Sequence, residues 1–165
     1  SYTGLRIGVS EAKGLCFGLN IPLIAIETLK IMAFGLAGDT MPDDNTLLCP
    51  MIDARRMEVY DTIFNNNLEE IKPVSADIID ENSFSEYLKD NKIIFFGNGA
   101  EKCKQVLHHP NAVFLENIYP LATNIVELAE NAYDNNLFVD TAYFEPFYLK
   151  EFVATIPKNK VLPVK

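Results

Sequence analysis

Few side chains in this sequence stand at spacings that do chemistry. The two histidines, His108 and His109, are adjacent and precede Pro110. They close a helical pattern, where an imidazolium suits the carbonyl end of the helix dipole. Zinc held on one helix face needs ligands at i, i+3 or i, i+4, and no His-x-x-x-His occurs. Carboxylate pairs occur at Asp43-Asp44, Glu69-Glu70 and Asp80-Glu81. All lie in polar links or caps, whereas an acid–base pair needs two distinct, partly buried environments, so these read as solvated. Asp53 differs, because it ends an apolar strand just where the chain turns, with Arg55 and Arg56 beside it. An Asp–Arg pair there can brace the turn or face a phosphate, and bracing is the commoner use of such a pair. Gly97-Asn98-Gly99 marks a strand-to-helix turn, a place where backbone N–H groups can meet an anion. There is no G-x-x-x-x-G-K-[ST] and no full G-x-G-x-x-G, and a tight turn alone accounts for the two glycines. No nucleophile–base pair stands out.

The elements that must position these residues follow from periodicity. Leu5, Gly8, Val9, Ala12, Leu15, Cys16 and Leu19 mark one face of a helix over residues 3–19. Thr3 is the expected N-cap, and Gly4 and Gly8 suit either core packing or a close contact with a partner helix. Residues 22–26 read as a short buried strand. Residues 27–36 read as a helix with Leu29, Ala33 and Leu36 inward. A polar, turn-rich link over 38–45 marks a subdomain boundary. Strands over 47–52 and 58–64 then form an antiparallel hairpin around Asp53-Ala54-Arg55-Arg56. An edge strand over 70–74 carries Pro73, which cannot donate to a ladder. Ser83-Phe84-Ser85-Glu86 reads as a capping box before a short helix. A strand over 92–96, a helix with Ala100, Cys103, Val106 and Leu107 inward, and a strand over 112–115 come next. Leu121, Ile125, Leu128, Ala129 and Ala132 define a last amphipathic helix, and an aromatic, extended tail spans 143–152. Three antiparallel strands followed by alternating helices and strands give a mixed α/β sheet of ribonuclease H-like order.

The composition sets bounds. At 165 residues, 48% hydrophobic and 22% charged, the chain is globular in character, without an apolar run long enough to span a bilayer or a signal-peptide pattern. The expected location is the cytosol. A net charge of −9 repels a phosphate backbone, so the chain is not expected to grip nucleic acid alone. Cys16, Cys49 and Cys103 are an odd, widely spaced set, expected to be buried hydrophobes rather than disulfides or zinc ligands. Ser1-Tyr2-Thr3-Gly4 enters a helix with no strand before it, and further residues are expected upstream.

Four segments together resemble a known family. Ser1-Tyr2-Thr3-Gly4-Leu5-Arg6-Ile7-Gly8 is similar to the second half of the G-x-G-S-[FY]-T-G-L-R-[IL]-G signature of the TsaB (YeaZ-type) family. The run from Ala12-Lys13-Gly14-Leu15 to Pro22-Leu23 fits the same segment. Asp53-Ala54-Arg55-Arg56-Met57-Glu58-Val59-Tyr60 resembles that family's D-A-R-R-x-E-V-Y hairpin. Gly97-Asn98-Gly99-Ala100 resembles its G-[DN]-G-A turn, and Pro146-Phe147-Tyr148-Leu149-Lys150 its P-x-Y-L-R element. The family's opening strand motif is absent.

The resemblance implies an actin-like ATPase (sugar kinase/Hsp70-like) fold of two ribonuclease H-like lobes, the first incomplete. Residues 1–40 would be the remnant of that lobe, 41–140 the second lobe, and 141–165 a tail packing back. It implies a cytoplasmic platform without catalytic residues, metal or a certain cofactor, formerly labelled a glycoprotease. Its partner would be a TsaD-like paralogue that moves threonylcarbamoyl to adenosine of transfer RNA, helped by a TsaE-like ATPase. Transfer RNA would be met only through that complex, and no membrane is implied. Docking falls on first-lobe helices, here Thr3, Leu5, Gly8, Val9 and Ala12, and an exposed sheet edge would favour a homodimer. The alternative is a residual ATPase holding ATP or ADP through Asp53, Arg55, Gly97, Asn98 and Gly99. A glycoprotease-like peptidase comes third.

Overall fold

A computed structural model gives the fold and describes residues 2–40 and 45–150. Five strands form one sheet in the order β3-β2-β1-β4-β5. They are β1 (Thr46–Asp53), β2 (Glu58–Phe64), β3 (Glu70–Ile78), β4 (Lys92–Phe96) and β5 (Ala112–Leu115). β1, β2 and β3 pair antiparallel, while β4 lies parallel to β1 and β5 parallel to β4. Only short turns join β1, β2 and β3, which permits antiparallel pairing, whereas the parallel strands need crossovers. β3 pairs only with β2 and is an edge, so Pro73 is tolerated there.

Both faces of the sheet are covered. Period-2 alternation therefore divides β1 and β4 between two cores rather than between core and water. Cys49, Met51, Val59, Ile63, Ile93 and Phe95 point to one face. The helices α3 (Ser85–Leu88) and α4 (Ala100–Cys103) close that face with Leu88, Ala100 and Cys103. Leu48, Phe64, Ile94 and Phe96 point to the other face, beneath Met32, Ala33 and Leu36 of α2 (Thr28–Thr40). The last elements are a 3-10 turn (Ala122–Asn124) and α5 (Ile125–Asp134), with only Ala132 fully buried. The expected helix from Leu121 is thus shorter, and Leu121 is exposed.

α1 (Tyr2–Leu19) forms as expected, but among the described residues it packs extensively on no strand. It ends in a Schellman motif, with Asn20 left-handed at φ 53°. There Asn20 N–H donates to Phe17 and Ile21 N–H to Cys16. Its ties to the rest of the chain are polar. Lys13 Nζ donates to the carbonyls of Ala142 (3.0 Å) and Phe144 (2.9 Å), and the Arg6 guanidinium lies 5.8 Å from the Tyr148 ring centroid.

Five expectations are corrected. The helix is already running at Tyr2, so Thr3 sits inside the first turn and is not its cap. Residues 22–26 are not a strand; Leu23 alone makes a bridge to Val139, and Pro22 has no N–H to extend it. The capping box does not form, because Ser83 Oγ turns back to Asp80 and Phe84 takes the cap position left-handed at φ 61°. The inward helix after Gly99 is regular only as far as Cys103 and continues as turns, although Leu107 is buried. Cys16 is half-exposed rather than buried, whereas Cys49 and Cys103 are buried as expected. Residues 38–40 of the expected link continue α2, while its other half with Asp43-Asp44, and the tail beyond Lys150, lie outside the described residues.

Candidate functional site

The carboxyl ends of parallel strands are where α/β sheets commonly bind ligands. Here those ends bring Asp53 and the Gly97–Gly99 turn together, since Pro50 of β1 is level with Phe96 of β4. Asp53 N–H donates to Asn98 Oδ1 at 3.0 Å, and Arg55 N–H donates to Asp53 Oδ1 at 3.1 Å. The carboxylate is ion-paired with Lys102 of α4, whose Nζ also donates to the Glu58 carbonyl. That ammonium holds Asp53 below the usual carboxylate range, assisted by the Arg55 N–H. The expected Asp–Arg brace is therefore an Asp–Lys brace. Arg55 reaches Asp53 only by its backbone, because φ values of 71° at Arg55 and 50° at Arg56 turn both side chains outward. Across the hairpin, Glu58 is ion-paired with Lys150, whose ammonium lies 5.8 Å from the Tyr60 ring centroid.

The two glycines are required by packing. Gly97 has φ +97°, and a Cβ there would stand 2.4 Å from the Met51 carbonyl oxygen. A Cβ on Gly99 would meet Ile52 and Val59 at 3.0 Å. β1 passes too close for any side chain, so the turn is explained without an anion. A cleft of about 180 Å³ opens beside it, lined by Asn98, Glu101, Lys104, Glu116 and Tyr119 among others. That is below the usual ligand-pocket volume of about 300–1,000 Å³. Lys104 and Glu116, 3.5 Å apart, pair in its wall. Among the described residues no three His, Cys, Asp or Glu side chains are placed to hold a metal.

Other candidates for chemistry are quenched. Burial pushes the Cys49 thiol well up and the Cys103 thiol to about 11, so neither forms the thiolate a nucleophile needs. His108 and His109 are exposed, and His109 Nδ1 accepts the Asn111 N–H in a turn.

The other candidate surface is α1. Thr3, Leu5 and Gly8 face outward, and nothing lies within 4 Å of the position a Gly8 Cβ would take. Val9 and Ala12 turn half inward. Leu15 (57% exposed) and Leu19 (66%) extend the outward stripe at helical spacing, while Phe17, 85% exposed, stands on another side of the helix. A large exposed apolar patch, where one forms, marks a surface that another molecule covers. Sequence reading placed Leu15 and Leu19 on this face but did not single them out. It missed Lys102 and a buried Asp61–Lys72 pair altogether, and it placed Lys150 in a motif without its Glu58 partner. Only Asp61 carried a signal, as a charge at a core position of the period-2 pattern between Val59 and Ile63.

The model of the family described as "TsaD: tRNA N6-adenosine threonylcarbamoyltransferase" matches residues 1–158. The Bacillus subtilis tRNA threonylcarbamoyladenosine biosynthesis protein TsaB is 35% identical over 112 residues, 65% of this chain and 46% of that protein. The Haemophilus influenzae protein of the same name is 26% identical, over 93% of this chain and 67% of its own length. The chain thus spans about half to two thirds of these relatives. Two solved structures from Pseudomonas aeruginosa share the fold. One is described as YeaZ and the other as an uncharacterized protein with similarity to peptidase YEAZ. Their TM-scores are 0.71 and 0.76, at 21% and 22% identity, over 90% and 91% of this chain and 69% of each of theirs. The sheet is accordingly that of the actin-like ATPase, ribonuclease H-like fold.

Proposed function

Because the chain belongs to the TsaD family, in its TsaB/YeaZ branch, we propose that it is a non-catalytic platform in making threonylcarbamoyl-adenosine in transfer RNA. Its partner is a catalytic TsaD-like paralogue, with a TsaE-like ATPase joining the assembly in the cytosol. The observation that carries this reading is the unpacked apolar face of α1. Leu5, Gly8, Leu15 and Leu19 offer a stripe on which the small residue lets another helix come close. A helix on this face would bury side chains that now meet water, at about 25 cal/mol per Å². Acidity keeps transfer RNA off this chain, so the RNA is met through the partner. A second copy is the competing occupant of the same face.

The nucleotide-binding alternative needs Asp53 and the Gly97–Gly99 turn, and those groups already hold each other and Lys102. An Asp53→Ala variant that lost ATP affinity shown by the parent would revive it. The platform reading is tested with the full-length gene product carrying Leu5→Asp and Gly8→Asp. Binding to the TsaD-like paralogue is expected to weaken on the order of 30-fold or more, with threonylcarbamoyl transfer lost and the unfolding temperature kept. Undiminished binding would overturn it.

A further inference from the structure

Away from α1, one lysine serves two carboxylates inside the sheet. Asp61 of β2 is fully buried, on the face that holds Val59 and Ile63. Its Oδ1 accepts from Lys72 Nζ of β3 at 2.8 Å, and the same nitrogen lies 2.8 Å from Asp77 Oδ2. Lys72 also donates to Ser75 Oγ. An ammonium has three N–H groups, so Lys72 has none left. Asp61 Oδ2 is buried with no hydrogen-bond partner. Asp77 is about one-third exposed, but Asp61 is fully buried and shares its one cation, so its charge is costly unless something neutralises it. Both carboxylates stand on the one lysine nitrogen, so they share its single positive charge.

We propose that Asp61 takes up a proton on its unpartnered oxygen in mildly acidic solution, and that this proton latches β3 to the sheet. The β2–β3 ladder itself is irregular here, with register shifts from Asp61 to Ile63 and from Ile63 to Phe64. Side chains take over at this point, as Thr62 Oγ1 donates to the Lys72 carbonyl at 2.6 Å. Among the described residues β3 has no second strand neighbour, so loss of the proton acts on β3's one attachment to the sheet.

The groups facing the pair do not compete for its proton. Burial keeps Cys49 of β1 and Cys103 of α4 as neutral thiols, and burial with Glu86 nearby raises Tyr87 of α3. Lys72 stays charged between its carboxylates, with the Phe84 ring centroid 6.0 Å from its nitrogen. Burial raises Asp61 from 3.8 to about 6, against the attraction of Lys72. A raised carboxylate binds its proton more tightly folded than unfolded. Its contribution is fully present below the unfolded value and is lost as pH rises through about 6.

The test is thermal unfolding of the full chain between about pH 5 and pH 7.5, with the infrared carboxyl stretch of the folded protein. The parent midpoint is expected to fall by roughly 5 °C over that range while a protonated-carboxyl band disappears. Asp61→Asn places a permanently neutral donor there and should abolish both changes. Asp77→Asn leaves Asp61 alone with Lys72 and should move both to lower pH. Should Asp61→Asn fail to fold, the parent and Asp77→Asn decide. A parent without the band at pH 5, or the same fall in both variants, would overturn the latch.

Discussion

Helices α1 and α2 are both rich in apolar residues, and they are packed in opposite ways. α2 buries Leu29, Ile31, Met32, Ala33 and Leu36, the last three over Leu48, Phe64, Ile94 and Phe96. α1 leaves Leu5, Ile7, Leu15, Phe17 and Leu19 in water and is tied to the chain mainly through Arg6 and Lys13. Apolar content therefore does not tell which helix is covered and which is left in water. What separates them is whether a strand face lies opposite. β1 and β4 present a second apolar face to α2, and among the described residues no strand presents one to α1.

Substitutions should reproduce that contrast. Phe96→Ala, beneath α2, is expected to cost about 3–5 kcal/mol in chemical denaturation. Phe17→Ala on α1 should change stability by no more than about 0.5 kcal/mol. Comparable losses at the two positions would break the comparison. Gly97→Ala comes next, because a Cβ at φ +97° meets the Met51 carbonyl. It should cost at least about 1–3 kcal/mol, seen as a lower denaturation midpoint. Arg56→Gly should act in the other direction and stabilise by up to about 1 kcal/mol, since glycine relieves the left-handed turn.

Lys102→Ala should have a small effect, below about 1 kcal/mol, because Asp53 is partly solvated. Asp53 is depressed by Lys102, so the pair stabilises above the unfolded carboxylate value and fades as pH falls through the folded one. Parent and variant should therefore differ at neutral pH and converge in acid, and the Asp53 carboxyl resonance should titrate higher in the variant.

Much of the sheet was legible because its signal is local. Runs such as Leu47-Leu48-Cys49 and Ile93-Ile94-Phe95-Phe96 are strands buried on both faces, and Asp53 to Arg56 is a turn between two of them. The side-chain partners were not legible. Lys102 lies 49 residues from Asp53, and only the parallel pairing of β1 with β4 and the packing of α4 bring them together. The misread caps at Thr3 and Ser83 failed for a related reason. A hydroxyl suits a cap or a turn equally, and Ser83 was already engaged by Asp80. The α1 face was legible as amphipathic, but its exposure depends on what stands opposite it in space.

The central claim is that the outward face of α1 is a docking surface for a TsaD-like partner. Hydrogen exchange of the full-length protein, alone and with that paralogue, tests it most directly. The account predicts fast exchange along residues 5–19 in the free protein and strong protection there in the complex. Protection confined to the sheet, with α1 unchanged, would contradict it.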